Sequence, residues 1–491
     1  MLGAWTAHHA RWQPEKVALR FEGIEYTYAQ LDERVQRLSL ALVRSLDIQP
    51  GDRVAHLGLN HADLFVLLFA CARAGAILVP LNWRLTAAEH VFMIDDCTPK
   101  ALFLDPEYVE HAAAFPVRHR VVLDGMADLL DVDPAHALPP VAPDAPVQIS
   151  YTSGTTGRPK GAMLSQAGLT WNAVMSTAAH DITSDDHALT FLPMFHVGGL
   201  HIHSTPVLHA GGTVTVQRRF DPGEALAAIA KLKPTMVLSV PATSQAKIAH
   251  PDFATTDVSG IRVFATGSST VPAAVIRPWL DRGVTVTQVY GMTESGPVAI
   301  CLPIHAADRV GSCGKPVLHA QARIVDDDGN DLPVGEPGEI WVKSPSICVG
   351  YWNNPAATAE TITDGWLHTG DIAHVDEDGF FFVDDRKKDM VISGGENIYP
   401  AELEDILHDC PAIAEAAVVG KPDPRWGEVP VALIVCRPGQ TLDAAGVMAL
   451  FDGRLARYKL PREVRFVDAL PRNVMGKVLK YELRARLAAE S

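Results

Sequence analysis

Between Tyr151 and Gly161 the chain packs four Ser/Thr hydroxyls, three glycines and Lys160 into eleven residues, directly after the apolar run Val147 to Ile149. Such a segment can wrap a polyphosphate, because glycines let backbone N–H groups approach the oxygens, hydroxyls add donors and Lys160 adds charge. It is not a Walker A loop, since no G-x-x-x-x-G-K-[ST] occurs in the sequence. A Ser/Gly linker would share the hydroxyls but not Pro159, Lys160 and the apolar flanks. His196, His201 and His203 are a second cluster, but i, i+2 spacing with no nearby Cys or carboxylate favours packing over a metal site. Neither G-x-S-x-G nor G-x-G-x-x-G is present, which removes serine-hydrolase and dinucleotide-dehydrogenase chemistry.

The elements around these residues alternate. Strand patterns at Arg53 to Leu59, Ala76 to Leu81 and Ala101 to Leu104 interleave with helical patterns at Tyr28 to Leu46 and Leu64 to Ala74. That spacing predicts βαβ units and buried parallel sheet. The alternation resumes with strands at Ala188 to Leu192, Thr213 to Gln217, Met236 to Val240, Arg262 to Ala265 and Val284 to Val289. From about residue 320, short strands punctuated by Gly, Asp and Pro (Ala322 to Val325, Gly338 to Lys343, Phe380 to Val383) predict an antiparallel subdomain. After the charged run Asp384 to Asp389 an α+β pattern begins, with a helix opened by Pro400 and strands at Ala414 to Gly420 and Val431 to Cys436. The expected fold is α/β: a large N-terminal domain of two βαβ-type parallel sheets plus a small antiparallel β subdomain, then a mobile small α+β C-terminal domain. The charged run is the candidate hinge, although composition alone favours a solvated turn. Residues 128 to 146, rich in Pro, Ala and Asp, read as a surface connection.

At 491 residues the chain has room for two to four domains, and 47% hydrophobic with 20% charged residues excludes wholesale disorder. A formal charge of -16 without runs of like charge argues against nucleic acid or an anionic membrane as the partner, so an anionic ligand needs a local pocket. The longest apolar stretch, Leu64 to Ala72, is too short for a membrane helix, and the first residues lack a signal-peptide core. Seven scattered cysteines without a C-x-x-C pair suggest free thiols in a reducing, cytoplasmic setting.

The segment from Tyr151 to Gly161 resembles the signature of the adenylate-forming superfamily of acyl-CoA synthetases, adenylation domains and luciferases. Further segments resemble that family's motifs in the same order: Tyr290 to Ser295 (YGMTES), Gly365 to Asp371 (GWLHTGD), Asp385 to Asp389 (DRKKD), Ser393 to Pro400 (SGGENIYP) and Pro471 to Lys477 (PRNVMGK). The resemblance implies that a carboxylate and ATP form an acyl-AMP and pyrophosphate, after which CoA takes the acyl group. By the same resemblance Lys477 bridges carboxylate and phosphate, Glu294 holds Mg²⁺, Thr293 contacts phosphate, and His196 lies beside the carboxylate. ATP and AMP contacts fall to Thr152, Ser153, Gly154, Thr155, Thr156, Gly157, Lys160, Gly267, Ser268, Tyr290, Gly291 and Met292, with Asp371 and Arg386 on the ribose. Read alone, Asp371 is equally a turn residue after Gly370. The resemblance puts residues 1–387 in an adenylation core and 388–491 in a mobile domain hinged near Lys388. It assigns CoA contacts to Gly394, Gly395, Tyr458 and Lys459.

The acyl pocket implied by the family involves Val197, Gly198, Gly199, Val240, Ala242 and Ser269. This lining is small and uncharged with no evident Arg, so a neutral acid is expected and a second carboxylate disfavoured. Fatty and aryl (cinnamic or benzoic) acids both remain open. The expected partners are a small carboxylic acid, ATP and CoA, with neither nucleic acid nor membrane span; a homodimer is compatible with the sequence. The alternatives are a stand-alone adenylation enzyme loading a carrier-protein thiol, and a silent nucleotide-binding regulator, which the presence of Lys477 and Glu294 disfavours.

Overall fold

Local signals start and stop the helices that frame the sheets. Thr27 and Gln30 form a reciprocal capping box that opens Tyr28–Arg44, and Thr86 with Glu89 does the same for Ala87–Cys97. The helix Ala62–Ala74 is capped by His61, ends on Gly75 at φ 73°, and is buried on nearly every side. A helix with no polar face must lie between layers, and its residues share one continuous core with Leu78 and Val147 of one sheet and Ala188 and Val214 of another.

The computed structural model describes residues 1–123, 126–134, 138–152, 159–267, 271–393, 396–452, 454–455, 457, 459–472 and 478–490, with Glu396 and Asn397 described by backbone alone. The first sheet has seven strands in the order Gly350–Tyr351, Lys160–Ser165, Pro146–Thr152, Ile77–Leu81, Arg53–Leu57, Ala101–Leu104 and His119–Val122. The last five run parallel, and Lys160–Ser165 folds back antiparallel on Pro146–Thr152. The second sheet has nine strands. Its parallel centre includes His187–Thr190, Met236–Ser239, Val263–Gly267 and Val286–Tyr290, and antiparallel strands close both edges. The first sheet is therefore parallel out to its His119–Val122 edge and antiparallel only at the other edge, whereas the second is parallel only at its centre. Where a hairpin adds the neighbour, as at Pro146–Thr152 with Lys160–Ser165, a short turn can only reverse the chain.

Gln321–Val325, Gly338–Lys343, Trp366–Val375 and Phe381–Arg386 form the expected antiparallel subdomain. Beyond it, Val391–Ser393, Ile413–Asp423, Gly427–Cys436 and Glu463–Phe466 belong to a separate sheet. Its two faces alternate. Val418 and Ile434 pack with Leu403 and Leu407 from Pro400–His408, while Val419 and Val431 pack with Leu483 and Leu487 from Lys480–Ala489. The charged run is only in part the solvated turn that composition favours, with Lys387 and Lys388 exposed in a turn. Asp385 and Asp389 are buried, and the Ala401 N–H donates to Asp385 at 3.0 Å. The stretch from residue 128 overlaps a short helix, Met126–Leu129, before the chain reaches Pro146–Thr152. Among the described residues no helix is long and apolar enough to cross a membrane.

Burial holds His56 and His201 down at about 3 and His180 at about 4, against an ordinary 6.5. Below pH 6.5 the unfolded chain takes up protons that the folded protein refuses, so stability falls with pH until those low values are passed. Each fully buried ring costs about 2 kcal/mol at pH 5. Asp405, raised to about 6, and Asp105 and Asp385, also raised by burial, act in the opposite sense, but the histidines lowered by burial outnumber them. The melting temperature should therefore drop clearly between pH 7.5 and 5 in a thermal-shift series; a flat profile would contradict neutral burial of these histidines.

Candidate active site

Three chain segments that are remote in sequence converge on Glu294. It lies in the single 3₁₀ turn Thr293–Ser295, immediately after the strand Val286–Tyr290, and is only 3% exposed. Tyr351 Oη donates to Glu294 Oε1 at 2.7 Å, and Thr152 Oγ1 reaches the same oxygen at 3.4 Å. The Cys348 N–H donates to the Glu294 carbonyl at 2.8 Å, and Ser346 Oγ to the Ser295 carbonyl at 2.7 Å, which ties the turn to the segment before Tyr351. Glu294 makes no ion pair among the described residues. A buried carboxylate held only by hydroxyls has lone pairs to spare for a hard cation, and Mg²⁺ takes such oxygen ligands.

The hairpin register delivers the phosphate-loop candidate to the same place. Thr152 and Lys160 are cross-strand partners, and Thr152 meets Glu294. Lys160 Nζ lies 5.3 Å from the centre of the Tyr351 ring. Of that loop, Ser153, Gly154, Thr155, Thr156 and Gly157 lie outside the described residues, as do Ser268 and Ser269. Gly267 and Gly291 are sterically required, because a Cβ would come within 2.2 Å of the Val289 carbonyl oxygen and 1.8 Å of the Pro297 carbonyl oxygen.

Asp371 and Arg386, fifteen positions apart in the chain, are direct partners in the antiparallel pair Trp366–Val375 and Phe381–Arg386. Arg386 Nε is ion-paired with Asp371 Oδ1 at 2.5 Å, and Tyr290 Oη donates to Asp371 Oδ2 at 2.8 Å. Asp371 raises the pKa of Arg386, while burial first and then Asp371 hold the Tyr290 phenol well above its ordinary value. Arg386 also feels Glu294, so one guanidinium serves both carboxylates electrostatically while touching one.

His196 is held by its own loop. The Gly198 N–H donates to Nδ1 at 3.1 Å, which leaves the proton on Nε2, and burial lowers its pKa to about 4. The neutral ring is therefore a hydrogen-bond donor at Nε2. Asn60 anchors this segment: its Nδ2 donates to the Leu192 and Gln217 carbonyls at 3.0 Å each, and its Oδ1 accepts from the Met194 N–H at 2.8 Å. His201 packs as expected, with Thr205 and Gln148 at its two nitrogens.

A cavity of about 250 Å³ opens between Trp83, Phe191, Phe220, Val240, Ala242 and Thr243. Two of the six expected acyl-pocket residues, Val240 and Ala242, line it. Val197, Gly198 and Gly199 do not; they form the buried wide turn behind it, with Gly199 pressed against the Pro193 and Leu192 carbonyls. The residues named from the sequence are uncharged, but Arg84, Arg218 and Arg219 also border this cavity. Sequence distance hid them, since all three lie on loops away from the motifs. Their charges are partly engaged: Arg218 pairs with Asp105 at 3.2 Å and Arg84 stacks on Trp83 at 4.6 Å.

In the C-terminal region Lys388 is exposed and its carbonyl accepts from Arg484. Lys459 is bound to Glu402 at 2.7 Å rather than standing free. Gly394, Gly395, Tyr458 and Lys477 lie outside the described residues. Burial alone would push the Lys480 ammonium down, but Glu404, 2.8 Å away, and Asp385 outweigh it and hold the pKa up. Tyr351, Asn60 and Lys480 carry no motif of their own, and sequence reading passed over them.

The AMP-binding enzyme family matches residues 6–352, and its C-terminal domain matches residues 402–477. The chain belongs to the AMP-binding enzyme family. It is 44% identical to an indoleacetate–CoA ligase of Aromatoleum aromaticum, with 100% of this chain and 99% of that one covered. It is also 44% identical to a feruloyl-CoA synthase of Amycolatopsis, over 99% of both chains. ATP-bound MatB from Rhodopseudomonas palustris superposes with a TM-score of 0.92 at 35% identity, covering 99% of both chains. The protein is an AMP-forming acid–thiol ligase. For such an AMP-binding enzyme, Tyr351→Phe removes a hydrogen bond to a charged acceptor and should slow pyrophosphate exchange roughly tenfold or more with little change in melting temperature. Unchanged exchange would show that Tyr351 does not orient Glu294.

Proposed function

We propose that the acid is a neutral aromatic carboxylic acid, activated as its adenylate and then transferred to CoA. The observation that carries the acid class is the cavity of about 250 Å³ bounded by the rings of Trp83, Phe191 and Phe220, a shape that suits a flat ring better than a long chain. In the first half-reaction a carboxylate oxygen bonds to the α-phosphorus of ATP, the bond to the bridging oxygen breaks, and pyrophosphate leaves. In the second the CoA thiol gives up its proton, its sulfur bonds to the adenylate carbonyl, and AMP leaves.

Repulsion between the carboxylate and the triphosphate is the barrier that the protein must lower before the first step. Lys477 would bridge the two anions. Lys160, Thr152 and the loop residues Ser153 to Gly157 would wrap the phosphates, joined by Thr293. Glu294 would hold Mg²⁺, which when bound neutralises phosphate charge. Asp371, kept in place by Arg386 and Tyr290, would accept the ribose hydroxyls, and Gly267, Ser268, Gly291 and Met292 would border the base. His196 would donate from Nε2 beside the carboxylate. Rotation about Lys388 would then exchange Lys477 for Gly394 and Gly395, whose small size would admit the pantetheine arm. A reducing, cytoplasmic setting fits the seven free cysteines, five of them buried.

Incubation with ATP, Mg²⁺ and fatty, benzoic, cinnamic and indolic acids, with and without CoA, tests the reading by pyrophosphate release. CoA-dependent turnover of aromatic acids is expected. Turnover confined to fatty acids would overturn the acid class, and exchange indifferent to CoA would replace CoA by a carrier-protein thiol. Lys477→Ala should abolish adenylation yet spare thioester formation from supplied acyl-AMP, whereas Gly395→Leu should impair mainly the CoA step; equal loss of both steps in either variant would contradict the two-state assignment.

A further inference from the structure

The helix Pro241–Ala249 carries Thr243 on the cavity wall and, one turn further along the same face, Lys247, which sits behind the lining residues and not among them. Lys247 is 0% exposed. Its Nζ lies 4.3 Å from the Phe191 ring centre and 5.8 Å from that of Phe220, the two rings that also line the cavity. Phe264 and Trp279 complete the enclosure at 5.2 and 5.6 Å. The sole hydrogen-bond partner of its three donors among the described residues is Ser239 Oγ at 3.1 Å, and no carboxylate pairs with it there. Four ring faces offset part of the cost of burying an amine, but two donors stay unfilled, and a buried polar group normally finds partners. Nothing in the adenylation chemistry uses this side chain.

We propose that Lys247 forms the blind-end subsite of the acyl cavity and recognises a ring hydroxyl on the side of the aromatic acid remote from its carboxylate. The proposal rests on the aromatic-acid reading above. A phenolic hydroxyl both donates and accepts, so it satisfies the amine in either protonation state, whereas an unsubstituted ring leaves the donors unfilled. Phe191 and Phe220 would flank the substrate ring that carries the hydroxyl. Burial holds the Lys247 pKa well below its ordinary value, so the amine sheds its charge easily and a neutral phenol is a fitting partner.

The test compares kcat/KM for 4-hydroxycinnamate and cinnamate in the wild type and in Lys247→Met, a substitution of similar length. The wild type should prefer the hydroxylated acid by roughly tenfold or more. In Lys247→Met that ratio should fall toward one. A wild type without the preference, or a variant that keeps it, would overturn the subsite. Should Lys247→Met fail to fold, the near-UV absorption of 4-hydroxycinnamate bound to wild-type protein decides: a shift of the phenol band on binding is expected, and an unshifted band contradicts contact with Lys247. Turnover of aromatic acids without hydroxyl discrimination sinks only the subsite. Turnover of fatty acids alone sinks the aromatic reading and the subsite with it.

Discussion

A carboxylate kept 3% exposed without an ion pair among the described residues is the constraint around which the N-terminal region is organised. Glu294 would be cheaper to leave in water, and burying it is tolerable because hydroxyls from two other segments meet it, Tyr351 at 2.7 Å and Thr152 at 3.4 Å. Those two residues belong to one sheet and Glu294 follows a strand of the other, so the contact joins the sheets at their strand ends. Ligands of open α/β sheets gather at such ends. The same junction brings the mouth of the Thr152–Lys160 hairpin to the carboxylate.

Strand register supplies the rest of the geometry. Asp371 and Arg386 meet because they are opposed in one antiparallel pair, and Tyr290 reaches Asp371 from the end of a parallel strand. Opposed pairs in an antiparallel ladder are close by construction, so no flexible loop has to find the contact. Asp385, the neighbour of Arg386, points the other way and accepts from the Ala401 N–H at the start of Pro400–His408. Alternation along one strand thus separates a residue facing the nucleotide candidates from a residue binding the next domain. Lys480, partly buried and paired with Glu404, closes the same junction from the last helix. The charged run therefore has a defined structural load, which is the background against which any rotation near Lys388 has to operate.

Much of this was legible in the residues. Period-two and period-3.6 patterns located the strand Ala101–Leu104 and the helices Tyr28–Arg44 and Ala62–Ala74 to within a few positions, since burial on defined faces is what those patterns record. The motif segments also named Glu294, Asp371, Arg386 and His196. The antiparallel edges were not legible, because apolar alternation does not state strand direction. The supporting contacts were hidden too: Asn60 and Tyr351 act through hydrogen bonds to partners more than fifty residues away, which no local pattern encodes. The arginines at the cavity escaped for the same reason. Lys247 belongs to none of the motif segments, and only the packing of four aromatic rings reveals its burial.

The claim that Glu294 is held ready for a divalent cation is tested most directly by calorimetric titration of ATP, with and without Mg²⁺, into the wild type and Glu294→Gln. The amide keeps the shape and an oxygen for Tyr351 and Thr152 but loses the charge. Wild-type protein should bind ATP markedly more tightly with Mg²⁺ present, and the variant should bind it about equally with or without the metal. A variant that retains the full Mg²⁺ dependence would contradict the assignment and leave the buried carboxylate as a structural anchor only.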